Sequence, residues 1–172
     1  MGHERLWWAV RICAAAGLLA TVLVLGAWLA GRRGDGGLDR TAAARIIDLT
    51  NEARQRDAQP PLSISPQLTA AAEEYARLMA RREWFEHIDP DGVTVERRAE
   101  AFGYVDWVFL AENLATGTGE RDAAYLVESW LRSPEHRRNI LSAELQEVGV
   151  GCYVRSGSPS RFWCAQAFGA RE

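Results

Sequence analysis

Two histidines and one glutamate are the residues of this chain best suited to chemistry. Of the 3 histidines among 172 residues, His3 precedes a long apolar run, whereas His87 and His136 sit in dense turn and cap patterns. The first pattern is Phe85-Glu86-His87-Ile88-Asp89-Pro90-Asp91-Gly92, and the second is Ser133-Pro134-Glu135-His136-Arg137-Arg138-Asn139. Between them in the chain lies Ala111-Glu112-Asn113-Leu114-Ala115. A neutral imidazole is a common metal ligand and a ready general base. Two imidazoles and a carboxylate in such settings point to one shared pocket. Each residue also has a plainer reading. His87 could bond the backbone of the Pro90 turn, the His136 ring could cover a helix start, and Glu112 could be a buried acceptor for backbone amides.

The elements that must position these residues are legible from periodicity and punctuation. Thr41 to Asp57 places Ile46, Ile47, Leu49 and Ala53 on roughly one helical face, with Pro60-Pro61 ending the run. Pro66 to Arg82 carries a stripe of Leu68, Ala71, Ala72, Tyr75, Leu78 and Met79 behind a Ser65 cap and a proline at the first helical position. Thr94 to Phe102 reads as a short helix stopped by Gly103, and Tyr104 to Ala115 as a strand. Arg121 to Arg132 is a further helix. Ser133-Pro134 ends it and caps a short helix carrying His136, with Ser133 expected to contribute about 1 kcal/mol as a cap. Asn113 reads as a buried hydrogen bonder, and Arg137 and Arg138 as a solvated face. Helices around a small sheet predict an α/β fold, a three-layer αβα sandwich.

Ahead of this domain, Ile12 to Gly31 is a run of 20 residues without charge. As a helix it would be roughly 30 Å long, the thickness of a bilayer core. Trp7, Trp8 and Trp28 fall where an aromatic belt would lie. A cleaved signal peptide is the rival reading, but the stretch Ala27-Trp28-Leu29-Ala30-Gly31-Arg32 puts bulky residues at the cleavage position. The expected organisation is a flank over 1–11, a transmembrane anchor over 12–31, a flexible linker over 32–40 and one domain over 41–172. The membrane is thus an expected partner. Arg5 and Arg11 before the run and Arg32 and Arg33 after it leave its orientation open.

Cys13 reads as a small membrane-facing residue. Cys152 and Cys164 lie in two strand-like runs joined by the turn-rich Ser156-Gly157-Ser158-Pro159-Ser160. A hairpin centred on Ser158 would bring them opposite each other and within disulfide reach, which implies an oxidising, extracytoplasmic compartment. The alternative is a pair of small buried residues. All 20 basic residues are arginine, and the formal net charge is −3. No basic stripe appears, so nucleic acid is excluded as an expected partner.

Several weaker features follow in order: Asn51-Glu52-Ala53-Arg54, Pro61-Leu62, Tyr75-Ala76, His87 with Pro90-Asp91-Gly92, Arg98 and Gly103-Tyr104. After these come Glu112-Asn113-Leu114-Ala115, Trp130 with Ser133-Pro134 and His136-Arg137, Asn139-Ile140-Leu141, Val148-Gly149-Val150-Gly151, and Gln166 with Phe168-Gly169. The series resembles the CAP superfamily (cysteine-rich secretory, antigen 5 and pathogenesis-related 1 proteins), in its bacterial SCP-like extracellular branch. The resemblance covers about Ala44 to Gly169. It implies an αβα sandwich, a secreted or surface-attached protein, and a cleft of two histidines and two acids that in some members holds a divalent metal, often zinc. His87 matches the first histidine, Glu112 the first glutamate and His136 the second histidine. The position of the second acid is Ser133 here. Glu128 and Glu135 lie nearby without matching it.

Two functions follow from the resemblance. One is a membrane-anchored, extracytoplasmic binding or interaction module. Its cleft would hold zinc or another divalent metal on His87 and His136, or a small lipid or cell-envelope ligand. The alternative is a metal-dependent hydrolase of a peptide or cell-envelope substrate, with Glu112 as general base. Two histidines are a poor zinc cage, since catalytic sites usually have three protein ligands. The binding module is therefore the expected reading.

Overall fold

The computed structural model describes residues 36–119, 122–157 and 161–172. The apolar run 12–31 and its flanks up to residue 35 lie outside the described residues. Among the described residues, no helix is long and apolar enough to cross a membrane.

Residues 36–172 form one compact unit. Its strands are β1 (Gly36–Leu38), β2 (Ser63–Ile64), β3 (Trp107–Thr118), β4 (Glu147–Arg155) and β5 (Arg161–Arg171), and its helices are α1 (Arg40–Arg56), α2 (Pro66–Arg82), α3 (Val95–Ala101), α4 (Ala123–Arg132) and α5 (Pro134–Leu141). The sheet order is β1-β4-β5-β3, and β2 joins the outer edge of β4 in parallel. The other pairings are antiparallel.

Alternation along the strands divides the core into two layers. Val148, Val150, Cys152, Phe162, Cys164 and Phe168 face α1, α4 and α5. Trp163, Ala165, Ala167 and Leu114 face α2 and α3. Helices therefore cover both faces of the sheet, as expected. The approach of α2 is unusually close because β4 offers it no side chains at two positions. A Cβ on Gly149 would lie 2.1 Å from the Thr69 amide nitrogen, and one on Gly151 would lie 2.3 Å from that of Glu73. The Val-Gly-Val-Gly alternation is thus a two-faced device, with valines filling one layer and bare backbone seating a helix on the other.

Local signals set the helix ends. Asp39 caps α1 by accepting from the Ala42 amide at 3.0 Å. Ser65 caps α2 from the Leu68 amide at 3.3 Å, with Pro66 next. Gly103, with φ 82°, follows α3. Three expectations need correction. The stretch read as a flexible linker includes β1, which pairs with Tyr153, Val154 and Arg155. Tyr104 precedes the strand it was assigned to and is fully buried, its hydroxyl donating to Glu147 at 2.6 Å. Ser133 occupies the cap position of α5, but its hydroxyl makes no cap hydrogen bond.

Cys152 and Cys164 are directly paired across β4 and β5 and form a disulfide with Cα atoms 4.1 Å apart. Both are buried in the α1-facing layer. Closing this short loop limits the unfolded chain, so Cys152→Ser with Cys164→Ser is expected to lower stability by about 2–4 kcal/mol. Urea unfolding of the double variant beside the parent checks this. Equal midpoints and equal slopes would reject it.

Candidate functional site

Helix α2 ends at Arg82, and its C-cap residue Glu83 takes a left-handed conformation with φ 52°. The chain then turns, and His87 meets Glu112 of β3. The Asp89 carboxylate sets this turn by accepting from the amides of Asp91 at 2.9 Å and Val93 at 2.8 Å. The Tyr75 hydroxyl on α2 donates to the Glu86 carbonyl. These contacts hold the His87 backbone from both sides.

Arg98 on α3 completes the arrangement. Its guanidinium lies 3.4 Å from the centroid of the Tyr75 ring. It donates to the carbonyls of His87 at 3.2 Å and Val93 at 2.9 Å. It also donates to Glu112 Oε1 at 2.8 Å. The other carboxylate oxygen, Oε2, is 3.0 Å from His87 Nδ1. The Glu112 side chain is 3% exposed, whereas that of His87 is 59% exposed. A buried carboxylate thus orients a half-exposed imidazole through its Nδ1.

His136 comes from the other side, on the first turn of α5. A polar chain in which Thr50, Asn113 and Gln166 are fully buried fixes that helix to the sheet. Gln166 donates to Thr50 Oγ1 at 2.8 Å and accepts from Asn113 Nδ2 at 3.3 Å. Asn113 Nδ2 also reaches the His136 carbonyl at 3.3 Å. Asn139 donates to Asn113 Oδ1 at 2.9 Å and to the Glu112 carbonyl at 3.3 Å. Asn113 is therefore the buried hydrogen bonder expected of it, and it ties the His136-bearing helix to β3.

His87 and His136 line one cavity of about 260 Å³ together with Phe85, Glu86, Leu114 and Glu135. Phe85, Leu114 and His136 also border a second cavity of about 560 Å³ that runs along β3 toward α4. The structure thus brings together the two histidines and Glu112. It also adds Glu135 to the rim, although Glu135 does not stand at the position of the second acid. Ser133 lines the larger cavity. Arg137 makes an exposed pair with Asp57 at 3.6 Å. Arg98 is the functional residue that sequence reading left without a role. Its place in the motif series was the only signal, since nothing local to residues 94–102 indicates a partner at Glu112. Among the described residues, no group of three or more His, Cys, Asp or Glu side chains is arranged to hold a metal ion.

The two imidazoles are tuned in opposite directions. The hydrogen bond to Glu112 raises the His87 pKa, outweighing its burial. Burial, helped by the charge on His87, lowers that of His136. His87 therefore contributes stability that is present below its unfolded pKa and is lost as pH rises through its higher native value. His136 binds its proton more weakly when folded, so it costs stability as pH falls through its unfolded pKa. Histidine side-chain NMR titration should place the His87 midpoint above, and that of His136 below, the ordinary value of about 6.5. Glu112→Gln should lower the His87 midpoint. The reverse order of midpoints would contradict this geometry.

Known proteins resemble this chain in sequence and in fold. The chain is 31% identical over 125 residues to the uncharacterized protein YkwD of Bacillus subtilis, covering 73% of this chain and 46% of that protein. It is 29% identical over 114 residues to the uncharacterized membrane protein YlbC of the same organism, covering 66% of this chain and 32% of that protein. The chain thus spans less than half the length of these relatives. Among solved structures, an outer surface protein from Borrelia burgdorferi superposes with a TM-score of 0.69 at 21% identity, over 80% of this chain and 99% of that one. An extracellular SCP-domain protein from Bacillus anthracis superposes with a TM-score of 0.62 at 25% identity, over 78% of this chain and 41% of that one. The model of the cysteine-rich secretory protein family, CAP, matches residues 47–168, and the chain belongs to that family.

Proposed function

We propose that this domain is an extracytoplasmic binding module, held at the membrane by residues 12–31, whose His87–Glu112–His136 cleft takes a small ligand or a weakly held divalent ion. The observation that carries this reading is the engagement of Glu112. One of its oxygens is held by Arg98 and the other by His87, and its side chain is almost fully buried. A carboxylate so occupied positions an imidazole. It is poorly placed to take a proton from water, which argues against the hydrolase alternative. An ion in the cleft would have two imidazole ligands, with water or a bound ligand completing its shell, and such a donor set gives modest affinity. The buried disulfide suits an oxidising compartment. The membrane-protein description of YlbC and the extracellular description of the Bacillus anthracis protein support the location.

Zinc chloride titrated into the full chain in detergent micelles tests the site. Binding to the native state alone raises stability by about 2.7 kcal/mol at a hundredfold excess over Kd. The expected result is an upward shift in Tm that is absent from the His87→Ala/His136→Ala variant. No shift in the parent, or the same shift in the variant, would reject the ion site.

A further inference from the structure

We infer that the larger cavity is a strand-addition groove, in which an extended peptide segment pairs with the free edge of β3 beside α4. The inference does not depend on the histidine cleft being a ligand site.

Strand β3 is an edge strand, since the sheet order ends on it. In an antiparallel ladder, alternate residues turn both backbone groups toward the neighbour and the rest turn them away. Register identifies the outward set. The Glu112 carbonyl accepts from Asn139 Nδ2 and the Leu114 carbonyl from Trp130 Nε1 at 3.0 Å, so both point away from β5. By the same alternation, Thr116 and Thr118 point outward as well. Side chains from α5 and α4 therefore cap the middle of the edge, and the cover stops at Leu114. Among the described residues, no backbone group outside the β3–β5 ladder pairs with Thr116 or Thr118.

These uncovered residues line the cavity of about 560 Å³. Helix α4 flanks it on one side, and Phe85 stands at its junction with the histidine cavity. A slot with an open strand edge and a helix beside it suits a peptide main chain, because the edge supplies alternating donors and acceptors at strand spacing. The buried floor of Leu126, Trp130 and Phe162 would take an apolar side chain from the peptide. Tyr125, 64% exposed, offers a flat wall at the rim. Unpaired edges are normally blunted by charge, proline or cover. Thr116-Gly117-Thr118 has neither charge nor proline, and among the described residues no backbone cover.

The full chain in detergent micelles can be panned with a displayed library of random heptapeptides, and an enriched peptide resynthesised with N-methyl groups on alternate residues. Methylation at one parity should weaken binding about tenfold or more, the effect of losing one or two backbone hydrogen bonds, while the other parity is tolerated. Thr118→Pro removes an outward N–H without touching the ladder to β5 and should weaken binding by a similar factor. His87→Ala should leave it unchanged, which separates this groove from the histidine site. Failure to enrich any peptide would overturn the inference, as would enriched peptides indifferent to N-methylation at either parity. The methylation series leaves the protein unaltered, so it decides the question even if Thr118→Pro does not fold.

Discussion

Arg98→Ala is expected to destabilise the domain by about 3–5 kcal/mol, the cost of removing one partner from a buried ion pair. The side chains of Arg98 and Glu112 are 9% and 3% exposed. Truncating Arg98 leaves the Glu112 carboxylate without its guanidinium partner. It also frees the His87 carbonyl, leaves the Val93 carbonyl with the Asp89 amide alone, and removes the cation from the Tyr75 ring. Urea unfolding measures the loss, and a change below about 1 kcal/mol would contradict the assigned role. A companion variant separates stability from site chemistry. Replacing both partners by apolar residues, Arg98→Met with Glu112→Leu, should recover much of the lost stability, because a matched apolar pair avoids the desolvation cost. The same variant should lose the raised His87 pKa, because the hydrogen bond that sustains it is gone. A double variant that kept the high His87 midpoint would show that Glu112 is not its cause.

Arg54→Met should have an effect of similar size, about 3–5 kcal/mol, for a different reason. Arg54 is fully buried, and its hydrogen bonds go to carbonyl oxygens. They run to Pro60 at 2.7 Å, Ile140 at 2.8 Å, Ser142 at 2.8 Å and Leu145 at 3.3 Å. Two of these acceptors lie at the end of α5, where helix carbonyls lack intrahelical partners and carry the negative end of the dipole. Methionine would fill much of the same volume while leaving four carbonyls without their donor. Arg54→Lys should fall between the two, since an ammonium cannot span the same fork of acceptors. Thermal and urea unfolding check the order. The reach of the effect is also testable, because α5 carries His136 at its other end. A histidine NMR spectrum of Arg54→Met should show the His136 signal moved or broadened. Stability equal to the parent, with His136 undisturbed, would mean that these carbonyls do not depend on Arg54.

Both variants mark the limit of what can be read along the chain. Arg54 was visible only as part of Asn51-Glu52-Ala53-Arg54 on a helix, and Arg98 only as a basic residue in a short one. A buried arginine on an amphipathic stripe is indistinguishable in sequence from one that reaches out to solvent, because its partners lie far away. Arg54 meets carbonyls around residues 140–145, and Arg98 meets a carboxylate on another element. Strands β1 and β2 escaped notice for a related reason. They are 3 and 2 residues long, too short for alternation to register, and exist because β4 offers them an edge.

Much else was present in the local chemistry. Ser65 with Pro66, the stripe from Leu68 to Met79, Gly103 after α3, and the turn between the cysteine-bearing strands each specify their structure through neighbouring residues. Such signals act over a few residues, so they determined the long helices and the cysteine hairpin, while the motif series grouped His87, Glu112 and His136 through the family resemblance. Only the tertiary structure decided how they are used. It placed Glu112 between Arg98 and His87, tied His136 to β3 through Asn113, and, among the described residues, left the end of the β3 edge uncovered. Hydrogen bonds and desolvation depend on which groups become neighbours after the chain has crossed the sheet, and no local pattern encodes those distances.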